Sequence, residues 1–334
     1  MSVADTNYPK IAIVVPYFGT LPSYFPLWLR SCSINPRIDW LFVTDVQIPV
    51  ECPSNVKVIA QNFEQLVDRI QFVLGEDVVV PVPHKLCDYK VFYGLIFSEL
   101  IAEYDYWGYC DVDVIFGKLA DFLSPEILKS HHKIFGLGHL CLMPNSSDVL
   151  DVIRNAAKLP EVRKEVLLNP RTTLFDEWYG AINMNEIFVR HGLKIYEDPG
   201  VIADIFSSSP RFLRSFWDGS RKTGFVEQDP NILVWSASVG LIRYCLKGSE
   251  IHQEEALYIH LKERQMWMCV NQDDATLQVF GITPAGFIPW EEGRVPSKAD
   301  FIRYEEGFWN YTKRRAKRKW RNAKYLVKMR LGKS

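Results

Sequence analysis

Ile11-Ala-Ile-Val-Val-Pro-Tyr-Phe-Gly19 opens with five consecutive apolar residues, four of them β-branched, and then meets a proline. A strand with one face in water alternates apolar and polar residues, whereas a strand covered on both faces reads as an unbroken apolar run. The run predicts a fully buried strand of a parallel sheet. Further on, Ser23 is placed to cap a helix whose apolar positions Tyr24, Leu27, Trp28 and Cys32 follow helical spacing. Trp40-Leu-Phe-Val-Thr44 predicts a second strand closing on Asp45, residues 55–60 a third, and residues 63–74 a helix through Phe63, Leu66, Val67, Ile70 and Leu74. This β-α-β-β-α order implies a doubly wound sheet with its ligand crevice beyond the carboxyl ends of the strands. Pro16, Tyr17, Phe18 and Asp45 are then expected at one rim, with whatever ends the later strands.

After Pro81-Val-Pro83 the pattern predicts a long helix from Cys87 to Glu103, with Tyr89, Phe92, Tyr93, Ile96, Phe97 and Leu100 on its core side. It leads into a strand, Tyr106-Trp-Gly-Tyr-Cys110, that ends in Asp111-Val-Asp113. Strands over 133–137 and 139–143 follow, then helices near 147–157, 161–168 and 177–190. Residues 192–285 read as strand-rich, with a hairpin over 231–245 and a strand over 256–260. No repeat at solenoid spacing and no low-complexity linker interrupts the chain, so one compound α/β domain is expected rather than two.

The composition fits that expectation. The chain has 334 residues, 48% hydrophobic, 24% charged and 13% aromatic, with 19 Gly and 19 Pro. Disordered, collagenous and coiled-coil classes are excluded. Seven scattered cysteines, none in a C-x-x-C arrangement, argue against a disulfide scaffold and a zinc knuckle. The first ten residues lack a basic region followed by an apolar one, and no window approaches eighteen uninterrupted apolar residues, so a cytoplasmic location is expected. The formal charge of −1 combines two opposed parts: residues 313–334 carry 11 Lys/Arg and no Asp/Glu, which leaves −12 on the rest.

Asp111 and Asp113, at i and i+2, project to the same side of an extended chain. Hard divalent cations want such oxygen pairs, and Mg²⁺ is usually held by one or two carboxylates plus substrate phosphates. A solvated strand end would look the same, so context must decide. The context is Lys85-Leu-Cys-Asp88-Tyr-Lys90, the predicted helix, Tyr106 to Gly117, and much later Tyr258-Ile-His-Leu-Lys-Glu-Arg264.

With these motifs the chain resembles GT-A-fold, nucleotide-sugar-dependent glycosyltransferases over roughly residues 10–265, and most specifically over 85–117. It is most similar to an uncharacterised bacterial family from polysaccharide gene clusters. The resemblance implies an α/β, Rossmann-like, mixed but mainly parallel sheet flanked by helices, a strand-rich C-terminal part and a basic C-terminal helix. It also implies a catalytic domain over 1–290, with a nucleotide-sugar half over about 10–120 and an acceptor half over 121–290, followed by an extension over 291–334. Asp111 and Asp113 would hold Mn²⁺ or Mg²⁺ against the diphosphate of a nucleoside-diphosphate sugar, the cation neutralising charge on the departing nucleotide. Asp88 and Lys90 match the family's Asp-to-basic motif loosely, with Lys where Arg is usual and one position earlier, and Lys85 just before them is a further candidate for the cofactor site. Tyr17 would cover the base, and Asp45 would accept from base or ribose. His260 would complete the metal shell, with Lys262 and Arg264 near phosphate, although the family's glycine and Lys-Pro-Trp signature is missing. A strand histidine is as readily structural.

Leu174-Phe-Asp-Glu-Trp-Tyr-Gly180 offers Asp176 and Glu177 at an expected helix start, where capping would account for them. The alternative is that one faces the acceptor hydroxyl, as general base of an inverting transfer or as an orienting group in a retaining one; Asp176 is the favoured base. Trp178, Tyr179, Phe216 and Trp217 would suit sugar stacking or ordinary core packing. Residues 313–334 interleave basic residues with Trp320, Tyr325, Leu326, Val327, Met329 and Leu331, the pattern of a membrane-surface helix drawn to anionic lipid. Docking on a neighbouring subunit, nucleic-acid binding or a solubilising role would use the same charges, and nucleic acid is not the expected partner.

The expected activity is therefore transfer of a sugar to a glycan or lipid-linked saccharide in bacterial surface polysaccharide synthesis, at the inner face of the cell membrane. Two rivals stand. One is a haloacid-dehalogenase-like phosphatase with Asp111 as nucleophile and Asp273-Asp274 as its distal acids, against which the late position of the motif counts. The other is a non-catalytic sugar-binding protein of the same fold.

Overall fold

The computed structural model describes residues 8–177, 182–206, 209–262, 264, 266–274, 276–310 and 312–313. The first run forms β1 (Ile11–Pro16), paired in parallel with β2 (Ile38–Thr44) on one side and with β4 (Tyr106–Cys110) on the other. Its unbroken apolar character follows from this central position. Ile11, Ile13 and Val15 face a core containing Trp28 and Trp40, while Ala12 and Val14 face a second core containing Tyr89, Trp107 and Tyr109. Between β1 and β2 lies α1 (Phe25–Ser33), capped at Tyr24 without a side-chain hydrogen bond, so Ser23 does not act as the expected cap. β3 (Val56–Ala60) adds to β2 in parallel. It is followed by α2 (Phe63–Leu74), which Asn62 and Gln65 open with a reciprocal capping box.

The predicted long helix is instead a 3₁₀ segment, Pro83–Phe92, followed by two single-turn α-helices, Tyr93–Ile96 and Ser98–Ile101. Helical spacing of the aromatics is only half the pattern, because Lys85, Leu86, Asp88, Tyr89, Lys90, Val91 and Phe92 are all buried, charged residues included, and only His84 of the segment is exposed. In 3₁₀ geometry residues i and i+3 eclipse, and Lys85 Nζ donates to Asp88 Oδ2 at 2.6 Å. Lys85 Nζ also reaches the carbonyls of Val166 and Arg171 at 2.9 and 2.7 Å. Asp88 Oδ1 accepts from Thr173 N and Oγ1 and from Phe175 N. This fully buried pair thus anchors residues 171–175, the approach to Asp176. Removing one member of a buried pair typically costs about 3–5 kcal/mol. Lys85→Met is expected to lose that much in urea denaturation, and a loss below about 1 kcal/mol would contradict the anchoring role.

After β4 the chain passes through Asp111-Val-Asp113 into β5 (Val114–Phe116), which belongs to a different sheet. β6 (Lys133–Ile134), β7 (Leu140–Pro144) and β8 (Ile195–Tyr196) complete the first sheet in the order β3-β2-β1-β4-β7-β6-β8, β7 running antiparallel to β4. The expected strand 133–137 is shortened to Lys133–Ile134 by a loop in which Phe135 takes φ 65°, and the one expected over 139–143 is shifted by one residue to Leu140–Pro144. β9 (Ile202–Ile205), β10 (Phe212–Trp217), β11 (Lys222–Val226) and β15 (Tyr258–His260) form the second sheet with β5, ordered β11-β10-β9-β15-β5. The third sheet contains β12 (Asn231–Ser236), β13 (Gly240–Lys247), β14 (Glu250–Glu255), β16 (Trp267–Met268), β17 (Val279–Thr283) and β18 (Gly286–Pro289).

The expectation of a mainly parallel sheet is corrected by this topology. Parallel pairing runs across β3-β2-β1-β4, but the second and third sheets are antiparallel apart from β9-β15 and β16-β18. Many connections in the C-terminal half are hairpins that turn at glycines of positive φ, Gly219, Gly240 and Gly248, and hairpins produce antiparallel neighbours. The hairpin expected over 231–245 is present as β12-β13. The helix expected over 177–190 begins only at Met184, capped by Asn183, and ends at Arg190.

A helix over 298–310 packs Phe301 against Ile232, Val234 and Trp290. The basic helix expected near the end, residues 314–334, lies outside the described residues. No described helix is long and apolar enough to cross a membrane.

Candidate metal centre

Asp111 ends the fourth strand at the edge where β1 and β2 finish, so Pro16, Tyr17, Phe18, Asp45 and Asp111 do share the carboxyl rim of the parallel strands. Asp113 is held on the other side by sheet register. β15 runs antiparallel to β5 with His260 opposite Val114, and Leu261 N donates to Asp113 O at 2.7 Å. Two non-local pairings therefore bring His260 beside the Asp111-Val-Asp113 turn. One donor atom from each of Asp111, Asp113 and His260 lies within 4.8 Å of the others, and His260 Nε2 stands 3.4 Å from Asp113 Oδ2.

Positive charge balances these acids. Lys90 Nζ donates to Asp111 Oδ1 at 2.6 Å and to Gly138 O at 3.1 Å, and lies 3.6 Å from Asp176 Oδ2. Burial alone would make Lys90 easier to deprotonate, but the carboxylates of Asp111 and Asp176 outweigh it and hold its pKa well above the usual value. His260 is subject to the same contest: burial disfavours its cation, yet Asp113 and Asp204 raise its pKa to about 9. His139, stacked on His260 at 3.6 Å between centroids, goes the other way. Burial, then the charges of His260 and Lys222, hold it well below the usual histidine range, so it stays neutral.

Asp176 and Glu177 adjoin this centre from a turn, and the next described helix, Met184–Arg190, is capped by Asn183 rather than by either acid. Asp176 is 1% exposed, and its Oδ1 has no hydrogen-bond partner among the described residues. Burial raises its pKa to about 7 despite Lys90. Glu177 Oε1 accepts from Gly138 N at 3.1 Å and is 3.5 Å from His139 Nε2, while Oε2 is 3.8 Å from Lys222 Nζ.

Other expected site residues have different surroundings. Lys85 and Asp88 are 0% exposed and direct their polar atoms at each other and at the 166–175 segment, so the expected ligand contact is corrected to a structural one. Tyr17 stacks on Phe42 at 6.3 Å and donates from its hydroxyl to Thr20 O; Phe18 packs on Phe63, and Asp45 is exposed. Lys262 reaches Asp204 Oδ2 at 3.0 Å, whereas the Arg264 guanidinium lies 5.6 Å over the Phe308 ring. Trp217 is core: a Cβ on Gly136 would stand 2.5 Å from its own Cβ. Trp178 and Tyr179 lie outside the described residues. Asp274 is carried to α1, where its carbonyl accepts from Arg30.

Sequence reasoning passed over His139, Asp204, Lys222 and Glu197. Burial lifts Glu197 to about 7 while its Oε2 accepts from Gly136 N at 2.8 Å. The one usable signal was Asp204, a carboxylate inside the apolar run Ile202-Ala-Asp-Ile205, where an unpaired charge would be costly.

Fold and site together define a mixed α/β protein with an Asp-Asp-His set, Asp113 and His260 buried and Asp111 half-buried, at the carboxyl edge of its parallel strands. The chain belongs to DUF6625, a family of unknown function, whose profile matches residues 13–291. No curated protein matches it. Among solved structures it is similar to the crystal structure of mouse xyloside xylosyltransferase 1 in its apo form, at 10% identity and a TM-score of 0.33, over 59% of this chain and 88% of that one. A likeness of that size is too slight to assign an activity.

Proposed function

We propose that the protein is a metal-dependent glycosyltransferase that moves a sugar from a nucleoside-diphosphate sugar to a saccharide or lipid-linked acceptor. The observation that carries this reading is the convergence of Asp111, Asp113 and His260, with donor atoms within 4.8 Å. Two carboxylates and an imidazole fit Mn²⁺, and Mg²⁺ less well because imidazole favours the transition ion. The cation, when bound, would supply Lewis-acid neutralisation of the leaving diphosphate. Lys90 keeps Asp111 oriented, Lys222 and Lys262 offer further positive charge, and Tyr17 and Asp45 stand on the same rim for base and ribose. Asp176 is the group assigned to the acceptor hydroxyl. The catalytic unit is taken as residues 1–290, with the donor half before about residue 120.

A screen of nucleotide sugars by thermal shift and hydrolysis, with and without Mn²⁺, tests the reading. Mn²⁺-dependent stabilisation by one nucleoside diphosphate is expected; no response to any nucleotide overturns it. The sequence resemblance supports a role in bacterial surface polysaccharide synthesis at the cytoplasmic face of the membrane. The 11 basic residues of 313–334 support lipid attachment, each worth about 1 kcal/mol near an anionic surface. Full-length protein is expected to float with vesicles containing 30 mol% phosphatidylglycerol, at roughly that added charge energy, and a chain lacking 313–334 to remain behind. Equal flotation of both removes the tail from the proposal.

A further inference from the structure

The strand register places a third carboxylate behind the candidate metal ligand. β15 runs parallel to β9 with His260 opposite Asp204, and His260 Nδ1 stands 3.4 Å from Asp204 Oδ1. That nitrogen has no aligned hydrogen-bond partner among the described residues, although it is buried. Asp204 itself is 0% exposed and firmly fixed: Oδ1 accepts from Ile205 N at 2.8 Å, and Oδ2 from Ser215 Oγ at 2.8 Å, with Lys262 Nζ at 3.0 Å. A buried carboxylate is tolerated where donors of this kind surround it. Its remaining direction faces the imidazole edge opposite the one that faces Asp113.

We infer that Asp204 is a positioning residue for His260: it accepts a hydrogen bond from Nδ1–H, fixes the ring plane and leaves Nε2 as the donor atom for a divalent transition ion. An imidazole ligand commonly gives its other N–H to a carboxylate, which sets the tautomer and strengthens the donor. Lys262 then has two duties, supplying counter-charge to Asp204 and carrying positive charge to the rim. It takes a backbone φ of 53°, strained for a residue with a Cβ, two residues after the strand end at His260. Ser215 contributes from β10, so three strands converge on one nitrogen.

This inference rests on the metal reading of the site but not on the identity of donor or acceptor, so it is tested by metal binding alone. Mn²⁺ affinity of the full chain is measured by electron paramagnetic resonance, and Mg²⁺ affinity by competition. Loss of an outer carboxylate typically weakens binding 10- to 100-fold, and Asp204→Asn is expected to show that loss for Mn²⁺ with a much smaller one for Mg²⁺, which depends less on imidazole. General damage to the site would weaken both ions alike and overturn the inference. In a His260→Ala background, Asp204→Asn is expected to cost nothing further; an equal second loss would show that Asp204 acts elsewhere. Should Asp204→Asn not fold, Ser215→Ala is expected to reduce Mn²⁺ affinity in the same direction, and unchanged affinity overturns the inference. A wild-type chain that fails to bind Mn²⁺ overturns both this and the metal reading, whereas Mn²⁺ binding without any nucleotide response overturns only the transferase reading.

Discussion

Asp113→Asn is expected to abolish Mn²⁺-dependent binding of nucleoside diphosphate while leaving the folded chain intact. Asparagine keeps the shape of the side chain and loses its negative charge. The affinity loss should exceed the roughly 10- to 100-fold typical of a residue that only supports a ligand, because Asp113 is one of the three candidate donors. Asp113 is the better choice than Asp111 for a physical reason. Asp111 Oδ1 accepts from the buried Lys90, so its replacement would leave that ammonium with only Gly138 O and the more distant Asp176 and would cost stability as well as a donor atom. Asp113 faces His260, which can lose its proton when the neighbouring charge goes. Calorimetric titration with Mn²⁺ and then with nucleoside diphosphates reads the effect; affinities within a few-fold of wild type would remove Asp113 from the centre.

The features that local pattern records were legible in the sequence. β1, β2 and β4 declare themselves because central parallel strands must be apolar on both faces, and Asp111-Val-Asp113 follows β4 as a visible change of chemistry. His260 was readable as a candidate, but its approach to Asp113 depends on β15 pairing with β5, a contact between distant parts of the chain. Asp204 needed a further pairing, β15 with β9, before its carboxylate had a purpose. Lys85 and Asp88 misled for a related reason: a charged motif before a helix resembles a phosphate contact until Lys85 is found on the carbonyl of a residue 86 positions later. The Cys87–Glu103 pattern misled because aromatic spacing records one face, whereas the backbone is broken into a 3₁₀ stretch and two single-turn helices. The hairpin over 231–245 was legible, but the expectation of a mainly parallel sheet failed because periodicity identifies strands without saying how each is joined to the next or which strand it pairs with.

Asp176→Asn is expected to remove sugar transfer and spare Mn²⁺-dependent nucleotide binding. A buried carboxylate oxygen with no hydrogen bond costs about 1–3 kcal/mol, and Asp176 Oδ1 has no such partner among the described residues. The chain accepts that cost beside Lys90 and the candidate metal centre, where a donor from a substrate hydroxyl would satisfy it. A base works best when its pKa lies near the working pH, and burial brings Asp176 to about 7. The sign follows: only the carboxylate can take a proton, so turnover should rise with pH through about 7 on the acid side. Loss of general-base catalysis typically lowers kcat by about 10²- to 10⁴-fold, with the nucleotide affinity unchanged. Gly138→Ala provides an independent route to the same result, because a Cβ there would stand 2.0 Å from Asp176 Oδ2 and force the carboxylate out of place. That variant should lose kcat without removing any titratable group. Full turnover in Asp176→Asn would transfer the acceptor role to another residue, and Glu177, bound to Gly138 N on the same turn, is the next to test.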